Sequence, residues 1–189
     1  MKQEEVVIPL HRPGSTEMIF FFLCGVIMSV PITLFSAQLA DSLLVGFDLS
    51  SATLISTAFF APLIEEFSKI LPLVYRHGET QRSIFTLAIM VGLGFAVVEL
   101  LLYVFLLDVS VFARLPGLLF HPSSTAISAY GIATKRPLPF FALAVALHAA
   151  NNFLVVINPF PISASSLIVG ITILLAWTFY GKTKEKFIV

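Results

Sequence analysis

An all-α, polytopic membrane helix bundle is the fold class this sequence predicts, and three observations predict it. Hydrophobic residues make up 58% of the 189-residue chain and charged ones 12%, with a mean hydropathy of +0.97. A soluble domain of this length cannot enclose so much apolar surface in one core. Apolar runs recur at the length of about 20 residues that a bilayer core about 30 Å thick demands. Basic residues gather in alternate interruptions between those runs, the pattern that orients membrane proteins.

Six spans follow in order. The first, 17–40, comes after an N-terminal tail, 1–16. Its "FSAQLA" carries the small residues of a signal-peptide cleavage site, but its apolar run exceeds a signal core and its removal would break the charge alternation, so it counts as a span. The second, 51–75, contains "FFAPLIEEFSKILPLVY". Pro62 has no N–H and frees the carbonyl of Ala58, which predicts a kink beside the acidic pair. The third, 83–107, contains "GLGFAVVELL", where Gly92 and Gly94 permit close helix approach. The fourth, 109–133, holds Arg114, His121 and two prolines, so a broken or re-entrant helix is the alternative to a full span. The fifth, 137–157, contains "ALHAANNFL", and the sixth, 161–181, precedes a basic tail, 182–189. The chain reads as one transmembrane domain, 17–181, without internal repeats.

Lys2, Arg12, Arg76, Arg82, Lys135, Arg136, Lys182, Lys184 and Lys186 fall on one side of a six-span topology, and Asp41, Asp48 and Asp108 on the other. Both termini are therefore expected in the cytoplasm, in a multi-pass protein of the cell membrane. Net charge is zero with no block of like charges, so nothing indicates a nucleic-acid partner. The single cysteine, Cys24, excludes an internal disulfide framework and a multi-cysteine metal site. The oligomeric state is open.

Charges inside spans need a reason, since each costs about 2.5–3.5 kcal/mol at mid-bilayer on insertion scales. Glu65 and Lys69 are spaced i, i+4 and Glu66 and Lys69 i, i+3, so the lysine can approach either carboxylate. The adjacent glutamates point about 100° apart and cannot easily share one role. Counting from the cytoplasmic ends at 1.5 Å per residue, Glu65, His148, His121 and Asn152 lie roughly 15 to 22 Å deep, in one layer. Glu99 comes out near 24 Å and is expected to support the site from a turn further out. Thr125, at i+4 from His121, is a second supporting residue. Arg114, near the outer boundary, is expected to snorkel to the interface in preference to binding substrate.

Hydrolysis of a peptide bond needs an activated water, a proton donor for the leaving amine and a donor for the oxyanion. Glu65, His121, His148 and Asn152 contain each of these parts. The same strings resemble a known family: "EEFSK" looks like the EExxK signature of the PrsW family of intramembrane proteases, "GFAVVE" is similar to its second motif, and "HPSST" and "HAANN" resemble its two histidine motifs. The resemblance covers roughly residues 55–155, and the layout is shared with the wider group of CAAX-prenyl endopeptidases and bacteriocin-immunity proteins. That group usually has EExxxR, whereas position 70 here is Ile and the base is Lys69, which favours the PrsW branch. Leu100 stands where family members commonly have asparagine, which leaves the contacts of Glu99 open.

The resemblance implies a glutamate-dependent protease acting on a membrane-anchored protein, such as an anti-sigma factor, within the lipid bilayer. It implies that Glu65 activates water in preference to Glu66, that Glu66 supports it with Lys69, that His121 and His148 hold water and substrate carbonyl, and that Asn152 stabilises the oxyanion. No cofactor is required by this reading; zinc held by His121, His148 and a glutamate is the alternative. There is no HExxH, no GxGD and no G-x-S-x-G, so other protease classes lack support. Two non-hydrolytic readings remain: a proton- or ion-coupled small transporter using the carboxylate and histidine chain, and a catalytically idle membrane binding protein.

Overall fold

The structure, a computed structural model, describes residues 12–75, 80–157 and 161–188, so Lys2 and Arg76 of the charge pattern lie outside the described residues. The described residues form six helices. They are α1 (Ser15–Leu43); α2, which runs unbroken through Leu49–Ile55, a π-helical stretch Ser56–Phe60, and Ala61–Tyr75; α3 (Gln81–Leu106); α4 (Val111–Ala133); α5 (Pro137–Ile157); and α6 (Pro161–Lys182). Their limits lie within three residues of the sequence expectation, the largest difference being the end of α1 at Leu43. The helical membrane bundle is as expected.

Where a kink was expected, just before Pro62, the helix widens into the π stretch, and in this register Pro62 stands opposite the carbonyl of Thr57, not that of Ala58. The N–H of Ala61 donates to the carbonyl of Ser56, five residues back, and Pro62 has no N–H to offer the carbonyl of Thr57. A side chain from α5 supplies that donor, as described below. The fourth span is a full helix that passes through Pro116 and Pro122 without interruption.

Among the described residues, four helices are long and apolar enough to cross a membrane by themselves: Ser15–Leu43, Gln81–Leu106, Pro137–Ile157 and Ser165–Lys182. The other two, α2 and α4, bury four polar side chains each, Glu65, Glu66, Ser68 and Lys69 on α2 and His121, Ser124, Thr125 and Ser128 on α4, and their neighbours cover them. α4 packs against α2, α3, α5 and α6, and α1 packs on α2 and α3.

The bundle is solid in one half and hollow in the other. Phe21, Leu73, Ile84, Leu87, Val91 and Ala129 form a closed core near the ends of the helices that face the termini. Beside it Tyr130 stacks on Phe179 at 4.8 Å, with Phe140 edge-on to both. The opposite half holds the cavity described below.

On the solid side the C-terminal segment folds back over the start of α3. Gln81 N–H donates to Lys186 O at 3.1 Å and Arg82 N–H to Lys184 O at 3.2 Å, which satisfies first-turn donors that a helix leaves unpaired. Arg82 Nη2 reaches Thr183 O at 2.7 Å, and Ile188 packs on the core. The basic tail is therefore knit into the fold by its backbone, while Lys184 and Lys186 keep exposed side chains. Arg12 pairs with Glu185 at 3.2 Å, so both described ends of the chain share one face.

Candidate active site

Seen along α2, the two glutamates separate as their 100° offset requires. Glu66 is fully buried, and its Oε1 accepts from Lys69 Nζ, from His148 Nδ1 at 2.9 Å and from Ser124 Oγ at 3.0 Å. Three donors on one oxygen identify it as a carboxylate. Glu65 points the other way. Its Oε2 is buried, makes no hydrogen bond among the described residues, and lies 3.7 Å from His148 Nε2. Of the two carboxylates that Lys69 could reach, it has taken Glu66.

The hydrogen bonds assign opposite tautomers to the two histidines. A lysine ammonium only donates, so Lys69 Nζ, 3.1 Å from His121 Nδ1, makes that nitrogen an acceptor. His121 Nε2 then carries the proton and donates to Glu99 Oε2 at 2.8 Å. His148 donates from Nδ1 to the Glu66 carboxylate, which leaves the lone pair of its Nε2 facing Glu65. The rings stand edge to face, 5.3 Å between centroids, with Phe120 packed against both.

Glycine makes this contact between α3 and α4 possible. A Cβ at Gly92 would lie 2.6 Å from both His121 O and Pro122 Cα, so only glycine lets α3 approach there. That approach brings Glu99, expected a turn away, directly against His121. Glu99 Oε1 also pairs with Arg114 Nη2 at 2.8 Å, and the Arg114 guanidinium carbon lies over the Tyr103 ring, 3.8 Å from its centre. Arg114 is thus turned inward, not extended to the interface as expected.

On α5, Asn152 Nδ2 donates to Thr57 O at 3.0 Å, the carbonyl that Pro62 leaves without a partner. Asn151 Nδ2 donates to Asn152 Oδ1 at 3.2 Å, and Ser165 Oγ donates to Asn151 Oδ1 at 2.8 Å, so the Asn152 amide is held from both ends. One Asn152 amide hydrogen remains for another acceptor.

These groups line a cavity of about 390 Å³ that runs from Glu65, His121 and His148 past Asn152, Arg114 and Tyr103. Its walls include Val109, in the turn between α3 and α4, and Ser165, near the start of α6, both on the side opposite the termini, and the cavity opens there.

Glu65, Glu66, Lys69, Glu99, His121, His148 and Asn152 are therefore neighbours. Thr125 is buried but stays outside the cluster, its Oγ1 donating to His121 O at 2.8 Å on its own helix. Ser124, the residue before it, joins the cluster instead. Its spacing of three from His121 is the signal that marks it. Tyr103, Thr57 and Ser165 carried no such signal, since their roles depend on contacts between helices.

Among the described residues, Glu65, His121 and His148 each offer a ligand atom, all within 4.8 Å of one another. Two imidazoles and a carboxylate are a donor set known in catalytic zinc centres. The unpartnered Oε2 of Glu65 and the lone pair of His148 Nε2 are open to such an ion, and His121 Nε2 joins them only in its other tautomer, with the proton on Nδ1 and the bond to Glu99 given up. The residues fit a divalent metal.

Comparison with known proteins gives one positive finding. The model of a family described as PrsW family intramembrane metalloprotease matches residues 14–179, most of the chain. Neither the curated proteins nor the solved structures give a match.

Proposed function

Since the chain belongs to the PrsW family of intramembrane metalloproteases, we propose that it hydrolyses a peptide bond of a membrane-anchored protein at the cavity floored by Glu65 and His148. The observation that carries this reading is the unpartnered, buried Oε2 of Glu65 beside the lone pair of His148, while the neighbouring Glu66 is held through its Oε1 by three donors.

A 3.7 Å separation is too long for a hydrogen bond and suits a water held by both groups. As the water oxygen bonds to the carbonyl carbon, its proton passes to Glu65. The C–N bond then breaks while Glu65 returns that proton to the leaving nitrogen, giving a carboxylic acid and an amine. The free amide hydrogen of Asn152 is the donor for the oxyanion, and the Nε2–H of His121 becomes a second one on turning away from Glu99. Glu66 holds His148 in the tautomer this requires, and Lys69 does the same for His121.

A divalent metal would be held by Glu65, His121 and His148, and when bound there it would supply a Lewis acid that polarises the carbonyl and lowers the pKa of water. With both termini in the cytoplasm, as the basic residues predict, the cavity opens on the extracytoplasmic side. An anti-sigma factor is one substrate of the fitting class.

The test compares the membrane proteomes of cells carrying the active protein and Glu65→Gln: a protein that accumulates uncleaved in the variant is the substrate. In detergent, Glu65→Gln and His148→Ala should each slow its cleavage by at least about a hundredfold. Turnover like the wild type in both variants would refute the roles. Activity that survives strong chelators assigns water activation to Glu65 and His148 alone, and loss that zinc restores assigns a share to the metal.

A further inference from the structure

A second cavity, about 410 Å³, lies between α1 and α3 and meets the first at Glu65, Glu99 and Tyr103. The two helices touch backbone to backbone below it: a Cβ on Gly25 would run into Val91 O, and one on Gly94 into Phe22 O. Beyond these glycines they part, and the gap is walled by Thr33, Leu34 and Ala37 on one side and Leu102 and Leu106 on the other. Leu34 and Leu106 are 58% and 73% exposed, so the gap opens sideways, onto the apolar flank of the bundle that faces lipid.

Two buried oxygens on its walls make no hydrogen bond among the described residues, Thr33 Oγ1 and Glu65 Oε2. Thr33 is the informative one. A helical threonine ordinarily satisfies its hydroxyl on its own helix, as Thr125 and Thr172 do here. Thr33 instead lines the groove with its hydroxyl unpaired.

Resting on the protease reading above, we infer that this groove is the lateral entrance for the substrate and that it holds a short, extended, apolar stretch of a membrane-spanning segment. The volume decides the length. A cavity of this size lies in the range of about 300–1,000 Å³ that accommodates small ligands, whereas a spanning helix is about 30 Å long and at least about 10 Å across. Only an unwound stretch fits. Unwound backbone exposes amides that lipid cannot satisfy, and Thr33 Oγ1 offers one such amide an acceptor on the way to Glu65. The apolar walls take the side chains, and the polar cavity beyond receives the bond to be cut. A water-soluble peptide bypasses this route, because the first cavity opens directly to water.

The experiment uses the full-length protein and two probes: the single-span protein that accumulates in Glu65→Gln cells, reconstituted with the enzyme in vesicles, and a short soluble peptide carrying the same scissile sequence. Ala37→Trp and, separately, Leu34→Trp fill the groove. Leu39→Trp, on the exposed side of α1 and outside the groove, is the control, and thermal unfolding verifies that each variant is folded. Each groove variant should slow cleavage of the membrane-embedded probe at least tenfold and change cleavage of the peptide less than twofold. Unchanged cleavage of the embedded probe by both folded groove variants overturns the inference, since a groove filled only by lipid would behave so. Equal slowing of both probes overturns it too. A wild-type enzyme that cleaves neither probe sinks the hydrolase reading itself.

Discussion

Asn152 Nδ2 donates to the carbonyl of Thr57 at 3.0 Å, and that carbonyl stands five residues before Pro62. In a π-helical turn the missing partner of Thr57 is the N–H that proline lacks, so an amide from another helix replaces it. Asn152→Ala should therefore destabilise the protein by about 1 kcal/mol, the usual value of one hydrogen bond. Pro62→Ala returns a backbone N–H to the turn. In that background Asn152→Ala should no longer lower the unfolding temperature, yet cleavage should remain lost, because the oxyanion donor is still missing. Recovery of cleavage in the double variant would reduce Asn152 to a clamp on the π turn.

Lys69, paired with Glu66, and the unpaired Glu65 should respond oppositely to neutralisation. Breaking a buried ion pair by removing one partner costs about 3–5 kcal/mol, so Lys69→Met should markedly lower the unfolding temperature in detergent. Glu65→Gln removes an oxygen that has no partner and should leave that temperature unchanged or raised while abolishing cleavage. Equal destabilisation by the two substitutions would contradict the division of labour.

Gly92 offers a test of the contact that assembles the site. An added methyl would meet backbone atoms of His121 and Pro122 at 2.6 Å, and backbone cannot swing aside. Gly92→Ala should force α3 and α4 apart, cost about 1–3 kcal/mol as overpacking does, and slow cleavage at least about tenfold by moving His121 away from Glu99. Gly170→Ala meets nothing within 4 Å and should be silent.

Adjacent hydroxyls on α4 should also differ. Ser124→Ala removes a donor from the Glu66 carboxylate, a charge-assisted bond worth about 1.5–3 kcal/mol. Thr125→Val removes only a bond to a carbonyl of its own helix and should cost less than about 1 kcal/mol. Chemical or thermal unfolding of the two variants side by side distinguishes them.

Much of this architecture was legible in the sequence. Hydrophobic run length located the six helices of the described residues, because the bilayer imposes a minimum length. Counting depth placed Glu65, His121, His148 and Asn152 in one layer, and they line one cavity. The same count misjudged Glu99, since it treats helices as straight and untilted and cannot see that Gly92 draws α3 onto α4. Lys69 was ambiguous because i+3 and i+4 are both within reach on a helix; the choice of Glu66 depends on His148 and Ser124, which arrive from other helices. Arg114 looked like an interfacial residue by position, yet Glu99 and the face of Tyr103 draw it inward. The folded-back C-terminal segment left no trace in the pattern, as its contacts are made by backbone carbonyls that every sequence possesses.

The partners of the α2 charges are distant in the chain: His121 lies 52 residues after Lys69, and His148 lies 82 residues after Glu66. A ribosome delivers α2 to the membrane well before either exists, and at about 2.5–3.5 kcal/mol for each charged group the nascent helix is a poor candidate for immediate release into lipid. Biogenesis must therefore retain α2 at the insertion machinery, or leave it at the bilayer surface, until α4 and α5 have been made. A chain halted before α5 should be a substrate for membrane quality control.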